Sequence, residues 1–288
     1  MIATELEGYV IRRMERPEVD FAVAQAAAEG WNPGLGDAEA FWQADPDGFF
    51  LGLLRGHPTA TISAVRYEAD ELGPAFGFLG FYTVQKDLRG LGYGMRLWKE
   101  AINALHTPCI GLDSVLAQVD TYRKDGFELA RVSSRYEGHA GGEMPPGLLP
   151  VGQLPFEDLL AYDRGCFPAR REAFLRAWLG LPGHVGLALR RGGRLAGFGV
   201  VRPCVRGSKI GPLFADDEAA AHSLLHGLLA SAQEGPVYFD TPASNPAAVR
   251  LAEAHGMRVV FQTGRMYLGD VPEYDLSREF GVTSFELG

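Results

Sequence analysis

A glycine-rich turn at residues 89–94 joins an apolar run to an amphipathic helix, and it constrains the fold more than any other feature of the sequence. The run ends at Val84, and Arg89-Gly90-Leu91-Gly92-Tyr93-Gly94 leads directly into apolar positions spaced as on one helix face. Glycines let the main chain approach an anion without Cβ atoms in the way. The first turn of a helix adds unpaired N–H donors and the positive end of its dipole. The turn therefore predicts a strand–loop–helix unit that holds a phosphate.

The composition excludes several classes of protein. With 288 residues and 47% hydrophobic content, the chain is long enough for two globular domains of ordinary size. Its 27 basic and 36 acidic residues give a net charge of −9, which disfavours nucleic-acid binding and fits a small cationic or neutral partner as well as simple solubility. Apolar runs are short, and the N-terminus has no basic segment followed by an apolar one. We therefore expect a cytoplasmic protein without membrane spans.

Cysteine and histidine spacing predicts no metal site. Cys109, Cys166 and Cys204 are far apart and odd in number, which favours buried apolar residues in a reducing compartment over a disulfide framework or a zinc site. His222 and His226 stand at i and i+4 on a predicted helix, but no glutamate of an H-E-x-x-H motif lies between them. We expect no metal cofactor.

The order of elements in the first half predicts a mixed α/β (α+β) fold. Three strand patterns with turn residues between them indicate an antiparallel meander before the glycine turn. The predicted strands are 8–13, 49–54, 59–67, 75–84 and 110–112, and the predicted helices are 17–29, 37–44 and 93–105. A second helix after the turn and a final strand are expected to close this unit.

A glycine- and proline-rich stretch at 140–147 marks a domain boundary, and a similar order of elements follows it. We predict a first domain at 1–140, a linker at 141–150 and a second domain at 151–288. The second has a predicted helix at 156–179, strands at 185–190, 194–202 and 209–214, and a helix at 217–233. Gly126-Phe127 and Arg135 match Gly256-Met257 and Arg265 at an offset of 130 residues. The chain is therefore predicted to be a tandem duplication.

Two kinds of phosphate loop do not fit the turn. No G-x-x-x-x-G-K-[ST] sequence occurs, so ATP hydrolysis is unsupported, and an antiparallel meander before the turn disfavours the βαβ unit of an NAD site. Instead, Arg89-Gly90-Leu91-Gly92-Tyr93-Gly94, preceded by Val84 and followed by Tyr122-Arg123-Lys124-Asp125-Gly126-Phe127, resembles the GNAT superfamily of acyl-CoA-dependent N-acetyltransferases. Both motifs stand in that superfamily's order.

The resemblance implies two tandem GNAT-like domains, each with a mixed, mostly antiparallel sheet flanked by helices. It also implies acetyl-CoA as co-substrate, with its pyrophosphate on the main-chain N–H groups of the turn. Val84 would hold the thioester carbonyl through its main-chain N–H, and Tyr122 would be the general acid. The implied CoA-binding residues are Val84, Arg89, Gly90, Leu91, Gly92, Tyr93, Gly94 and Tyr122.

The resemblance does not assign a general base, because the strand at 75–84 contains no carboxylate. An alkyl ammonium has a pKa of about 10.4 and must lose a proton before attack. Asp37 and Asp113 are the candidates, with helix capping and loop hydrogen bonding as their alternative roles, and a water chain could also serve. Trp31, Asn32 and Asp37 are the predicted acceptor-binding residues, since their loop flanks the acceptor cleft in this fold.

The second half departs further from the pattern. At the position of the glycine turn it has Gly211-Pro212, and the proline has no N–H donor. Three carboxylates follow within residues 213–218 and would repel a phosphate. Alignment on Gly256 puts Ala252 at the position of Tyr122. We expect this half to bind no CoA and to close the acceptor cleft. Residues 30–34 and 283–288 also look like a tandem-domain branch of the superfamily.

Three functions remain open at this stage. The first is an acetyl-CoA-dependent N-acetyltransferase in which a primary amine attacks the thioester directly in a ternary complex, with catalysis in the first domain. The second is a non-catalytic acyl-CoA sensor, and the third is a nucleotide-dependent enzyme of another class. The sequence predicts neither the acceptor amine nor the oligomeric state.

Overall fold

The computed structural model describes residues 7–288. We call residues 9–139 the first half. Its strands are β1 (Tyr9–Arg13), β2 (Phe49–Leu54), β3 (His57–Tyr67), β4 (Phe76–Val84), β5 (Cys109–Val115) and β6 (Glu128–His139). Its helices are α1 (Arg16–Ala28), α2 (Asp37–Ala44), α3 (Tyr93–Leu105) and α4 (Val119–Arg123), with 3₁₀ turns at Lys86–Leu88 and Leu116–Gln118. The predicted elements of this half are present with small shifts at their ends.

Residues 148–288 form the second half. Its strands are β7 (Leu148–Pro150), β8 (Val185–Arg191), β9 (Arg194–Pro203), β10 (Ser208–Ala215), β11 (Pro236–Pro242), β12 (Arg258–Gly269) and β13 (Glu279–Gly281). Its helices are α5 (Phe156–Cys166), α6 (Glu172–Gly180), α7 (Glu218–Ser231) and α8 (Pro246–Ala254), with 3₁₀ turns at Val151–Gln153 and Leu276–Arg278.

The single helix predicted at 156–179 is wrong, because the structure has two helices there. Helix α5 ends at Cys166, and Phe167 is extended at φ −137° and ψ 143°. Pro168 has no N–H for a helical hydrogen bond, and its ring disfavours helical geometry at the residue before it. The apolar periodicity continues across this break, which explains why the pattern alone suggested one helix.

All strands within residues 7–288 belong to one sheet in which the two halves exchange their long last strands. The order is β1-β2-β3-β4-β5-β12-β6-β11-β10-β9-β8-β7, with β13 on β10. Strand β12 of the second half pairs with β5, and β6 of the first half pairs with β11. The expectation that a final strand of the first half closes its own unit is therefore wrong, since β6 does not pair with β5. Both strands have the same length and an arginine at the same offset, so their patterns fit either place.

A buried ion pair joins each exchanged strand to a strand of the other half. Arg135 of β6 binds Asp240 of β11 at 2.7 Å, and Arg265 of β12 binds Asp113 of β5 at 2.6 Å. The two pairs occupy corresponding places in the two halves. Removing one partner from such a pair leaves a buried charge without compensation, so each pair holds its strand in the observed register.

Helices cover both faces of the sheet. On one face, α3 packs Leu97, Trp98 and Ala101 against β3, β4 and β5. On the other, α1 and α2 of the first half meet α6 of the second, and Phe41 of α2 stacks on Trp178 of α6 at 6.0 Å between ring centroids. The two halves thus share a hydrophobic core as well as a sheet. No helix within residues 7–288 is long and apolar enough to cross a membrane.

The C-terminal segment after β13, residues 282–288, is buried. The hydroxyl of Tyr67 donates to the carbonyl of Leu287 at 3.2 Å, and Gly288 lies close to Phe78 and Phe167. This segment, which we call the tail, therefore runs from the second half into the first. It ends beside β4.

Candidate active site

A cavity opens where β4 and β5 separate. The two strands pair in parallel from Phe76 with Cys109 to Leu79 with Leu112, and their pairing ends there. The β3–β4 register also shifts at this level, and Phe81 has a φ of 48°. An irregularity of this kind bends a strand and re-aims the groups that follow it. The result is a cavity of about 410 Å³ between the diverging strands.

Both halves line the cavity. The first half contributes the ends of β4 and β5, Trp31, Arg89 and Tyr122. The second half contributes Phe261 and Thr263 from β12 and Phe285 and Glu286 from the tail. A site of this shape is therefore complete only when the second half is in place.

The glycine turn lies at the edge of this cavity with free donors. Gly90 and Gly92 have φ values of 77° and 92°, a region that side chains disfavour, and Gly92 is the N-cap of α3. Within the described range 7–288, the N–H groups of Leu91, Gly92, Tyr93 and Gly94 have no hydrogen-bond acceptor. Gly94 allows α3 to approach β4, because a Cβ there would lie 2.6 Å from the hydroxyl of Tyr82.

Cationic side chains surround the turn. Lys86, Arg89 and Arg96 are exposed beside it. The side chain of Arg89 donates to the carbonyl of Val84 at 2.9 Å and pairs with Glu29 at 2.5 Å. Free N–H groups, a helix N-terminus and these charges together form an anion site.

The main-chain N–H of Val84 points into the gap. In an antiparallel pair, successive residues alternate between hydrogen-bonded and non-hydrogen-bonded positions. The N–H of Gln85 donates to Thr59 of β3 at 2.9 Å, so Val84, opposite Ala60, occupies a non-hydrogen-bonded position. Its N–H therefore faces the side from which β5 has diverged, as the proposed contact with a thioester carbonyl requires.

Tyr122 lies on α4 at the cavity wall. Its ring packs on Trp98 at 5.0 Å and on Phe127 at 6.4 Å between centroids. Burial, and to a smaller extent Asp125, raises the pKa of Tyr122 to about 12. The phenol therefore keeps its proton at neutral pH.

The loop at residues 30–37 is held by contacts with the second half and with β6. The side chain of Asn32 bonds the main chain of Arg206 in both directions, at 2.8 and 3.1 Å, and the N–H of Leu35 donates to Pro203 at 3.0 Å. Arg135 donates to the carbonyl of Trp31 at 2.7 Å. Trp31 lines the cavity, whereas the side chain of Asn32 is occupied by these contacts and does not reach it.

Asp37 does not face the cavity. Its carboxylate is fully buried, binds Arg202 at 2.9 Å and accepts from the N–H of Gly34 at 2.7 Å. Burial opposes its ionisation, but Arg202, Lys209 and this N–H outweigh that effect and lower the pKa of Asp37. The geometry favours a structural ion pair over a base or an acceptor-binding group at this position.

Asp113 borders the cavity, but its carboxylate is already paired with an arginine. Its side chain is 0% exposed and forms two hydrogen bonds with Arg265, at 2.6 and 2.9 Å. A substrate in the cavity has no access to it. The structure thus argues against both base candidates, because each carboxylate is paired with a buried arginine. The sequence does not reveal these pairs, because the arginines lie on distant strands that no local pattern connects to the aspartates.

Sequence reasoning missed another carboxylate in the cavity, that of Glu286. Glu286 of the tail lines the cavity, and its main chain lies on β4, where a Cβ on Gly80 would be 2.0 Å from the carbonyl oxygen of Glu286. A glycine in the middle of a strand can mark such a close backbone approach. Gly80 was therefore the available signal in the sequence, although a glycine does not show which segment of the chain approaches it.

The corresponding gap in the second half is filled. Strands β10 and β11 pair in parallel only from Ser208 to Ile210, after which β13 pairs with β10. The N–H of Val282 also donates to Asp240 of β11 at 2.8 Å. At the start of α7, the carboxylate of Asp217 accepts the N–H of Ala220 at 2.8 Å and so occupies a donor that is free in α3. Ala252 is buried in α8.

The histidines of α7 lie away from the cavity. His222, His226 and His255 have ring centroids 5.0 to 6.2 Å apart. In the part of the chain that the structure describes, no group of three or more histidine, cysteine or acidic side chains is arranged to hold a metal ion. The three cysteines are buried and free.

Comparisons with known proteins match both halves. Residues 12–127 match the acetyltransferase (GNAT) family model, and residues 159–281 match a second model, an acetyltransferase (GNAT) domain. The chain is 30% identical over 266 residues to holothin acyltransferase of Pseudoalteromonas sp. (strain SANK 73390), which covers 91% of this chain and 89% of that protein.

Solved structures match the whole architecture. One from Pyrococcus horikoshii, described as a putative acetyltransferase, superposes with a TM-score of 0.84 over 100% of this chain and 99% of its own, at 22% identity. A tandem GNAT protein from the clavulanic acid biosynthesis pathway superposes with a TM-score of 0.60 over 92% of this chain and 99% of its own, at 14% identity. These two likenesses show the fold.

Proposed function

This chain belongs to the GNAT acetyltransferase family, and we propose that it transfers an acetyl group from acetyl-CoA to a primary amine of a small molecule. The observation that carries this proposal is the row of free N–H groups at Leu91–Gly94, placed at the edge of a cavity that also contains Tyr122. A site for the phosphates of CoA beside a buried proton donor, here the phenol of Tyr122, is the arrangement that acyl transfer from CoA requires.

The residues at the turn fit the pyrophosphate of acetyl-CoA. Its negative charges match the four free donors, the N-terminus of α3 and the exposed side chains of Lys86 and Arg96. When bound, acetyl-CoA supplies the activated acyl group. The gap between β4 and β5 then leaves room for its thioester beside Val84.

Two groups of this chain would act on the reacting atoms. The N–H of Val84 would donate to the carbonyl oxygen of the thioester and stabilise the negative charge that develops there, a contribution of about 3 kcal/mol for one such donor. Tyr122, protonated at neutral pH because its pKa is about 12, would give a proton to the departing thiolate. The amine attacks the thioester directly, and no cysteine lines the cavity among the residues described.

Catalysis is proposed for the first half only. Strand β13 and the first residue of the tail fill the gap between β10 and β11, Asp217 caps α7, and Ala252 offers no acid. The second half instead supplies Phe261, Thr263, Phe285 and Glu286 to the wall of the cavity. This placement supports the expectation that the second half closes the acceptor cleft.

The walls of the cavity support a small amine as acceptor. Trp31, Phe261 and Phe285 provide aromatic surface, and the carboxylate of Glu286 provides a polar group that a cationic amine prefers. A volume of about 410 Å³ suits a small molecule together with the thioester. The relative named holothin acyltransferase also supports acyl transfer.

Substitution of Gly92 tests the assignment of the anion site. A glutamate in Gly92→Glu places a side chain and a negative charge at the free N–H groups, so we expect it to abolish acetyl-CoA binding measured by calorimetry. Gly193→Glu is the matched control, because Gly193 has a similar φ of 80° in an exposed turn with no neighbour within 4 Å. It should bind acetyl-CoA like the wild type.

The wild type should release CoA from acetyl-CoA with at least one member of a panel of alkylamines, polyamines and amino acids. Retained affinity in Gly92→Glu would overturn the anion site. Acetyl-CoA binding without CoA release on any amine would overturn acyl transfer and favour a sensor.

A further inference from the structure

The cavity contains three acidic side chains, and two of them are paired. Glu29 binds Arg89 at 2.5 Å, and Asp113 binds Arg265 at 2.6 Å. Glu286 forms no ion pair within residues 7–288, and the one hydrogen bond to its carboxylate there is from the hydroxyl of Ser284 at 2.9 Å. It is therefore the carboxylate with capacity left for a substrate.

The tail holds this carboxylate in a fixed place. The Oγ atom of Ser284 accepts the N–H groups of Glu286 and Leu287 at 3.0 and 3.2 Å, and the N–H of Gly288 donates to the carbonyl of Ser284 at 3.1 Å. The main chain of Glu286 contacts Gly80, the residue after the last β4–β5 pair. Glu286 thus lies where the strands begin to separate, in the cavity that Val84 and Tyr122 also line.

The charges around Glu286 leave its carboxylate available. Arg135 and Arg202 lie close enough to interact with it electrostatically, but each is already paired, with Asp240 and Asp37. Lys209 also lies close enough to interact with Glu286 electrostatically. Burial lowers the pKa of Lys209, and Arg135 adds to this effect. The Nζ atom of Lys209 has no hydrogen-bond partner among the described residues, so it does not occupy the carboxylate of Glu286. Phe285 covers Arg135 at 5.0 Å from its ring centroid.

We propose that Glu286 is the catalytic base that takes the proton from the ammonium group of the acceptor; this rests on the proposed amine acetylation. One N–H bond of the ammonium breaks as an O–H bond forms on Glu286, which frees the nitrogen lone pair. That pair forms the new C–N bond, and the C–S bond breaks. Tyr122 protonates the thiolate and regains a proton from the second N–H of the nitrogen. The proton on Glu286 leaves to solvent, so the products are the amide, CoA and one proton.

The test compares two acceptors that differ in basicity. The first is the best primary alkylamine from the panel, which is an ammonium ion at neutral pH, with a pKa of about 10.4. The second is its alkoxyamine isostere, in which oxygen replaces the methylene next to nitrogen and which is already neutral at the assay pH. Only the first needs deprotonation before attack.

We expect Glu286→Gln to lower kcat/KM about 10²-fold or more for the alkylamine and less than about tenfold for the alkoxyamine. Glu286→Asp, which keeps a carboxylate, should recover part of the activity. Glu273→Gln, the same change at an exposed glutamate before β13, is the matched control and should behave like the wild type. Acetyl-CoA affinity, measured by calorimetry, should change less than about twofold in each variant.

Each other outcome overturns the inference. Equal losses on both acceptors would show a structural role for the tail, and unchanged kcat/KM for the alkylamine in Glu286→Gln would place the base elsewhere. If Glu286→Gln does not fold, Glu286→Asp must still show the larger loss on the alkylamine. A wild type that transfers to no amine overturns the proposed function as well, and this is seen before any variant is compared.

Discussion

Tyr122 is the side chain whose chemical role follows most directly from its surroundings. Its ring is fixed by Trp98 and Phe127, and burial keeps the phenol protonated. Tyr122→Phe keeps the ring and its packing but removes the proton. We expect kcat with a competent amine to fall about 10²-fold or more, with little change in acetyl-CoA affinity.

The pH dependence gives a second measurement on Tyr122. An acid works in its protonated form, so activity that depends on Tyr122 persists below its pKa of about 12 and is lost above it. The wild-type kcat should therefore show no alkaline fall caused by Tyr122 between about pH 8 and pH 10. Tyr136→Phe, at a buried tyrosine of β6 that packs with apolar residues of α7 and α8, serves as the control. Unchanged kcat in Tyr122→Phe would rule out the acid role.

Residues of the anion site could be predicted from sequence because their signals are local. Gly90 and Gly92 needed only their neighbours to be recognised, and Tyr122 needed only Gly126 and Phe127. The carboxylates could not be assigned in this way. Asp37 and Asp113 have arginine partners more than a hundred positions away, and Glu286 reaches the cavity only because the tail crosses to β4. Contacts of that kind depend on topology.

At the scale of elements, the tail and β4 position the cavity together. A Cβ on Gly80 would meet the carbonyl oxygen of Glu286 at 2.0 Å, so Gly80→Ala must displace the tail. We expect a loss of about 1–3 kcal/mol in the free energy of unfolding, measured with denaturant, because an overpacked core is strained. We also expect kcat/KM for an alkylamine to fall about tenfold, as Glu286 moves.

Gly180→Ala is the control for this change, since Gly180 has no neighbour within 4 Å of an added Cβ. It should leave both the free energy of unfolding and kcat/KM close to their wild-type values. A Gly80→Ala variant with unchanged denaturant midpoint and activity would show that the tail does not hold the site.

Helices and strands could be predicted from the sequence where a single local pattern determines them. Helix α3 runs over Tyr93–Leu105, as its periodicity predicts, because a glycine precedes it and apolar residues repeat on one face. The break between α5 and α6 was missed because the same periodicity continues across Pro168. The pairing of β6 was missed because β12 carries the same pattern, and sequence does not distinguish two strands that fit the same place.

At the scale of the whole molecule, the strand exchange makes the two halves interdependent. Strand β5 has its partner in β12, β11 has its partner in β6, and Phe41 of the first half packs on Trp178 of the second. Chains with two domains often unfold in separate steps. Here neither half has a complete sheet or core without the other, so separate steps would leave broken ladders and exposed apolar surface.

We therefore predict one cooperative unfolding transition for the whole chain. Calorimetry should give a single peak, and fluorescence of Trp98 in the first half and Trp178 in the second, each followed in a variant that lacks the other three tryptophans, should report the same midpoint. Acetyl-CoA at one hundred times its Kd stabilises the state that binds it by about 2.7 kcal/mol. Because the halves unfold together, this ligand should move the whole transition upward, although its proposed site lies in the first half. Two transitions, only one of them raised by acetyl-CoA, would contradict the interdependence that the exchanged strands imply.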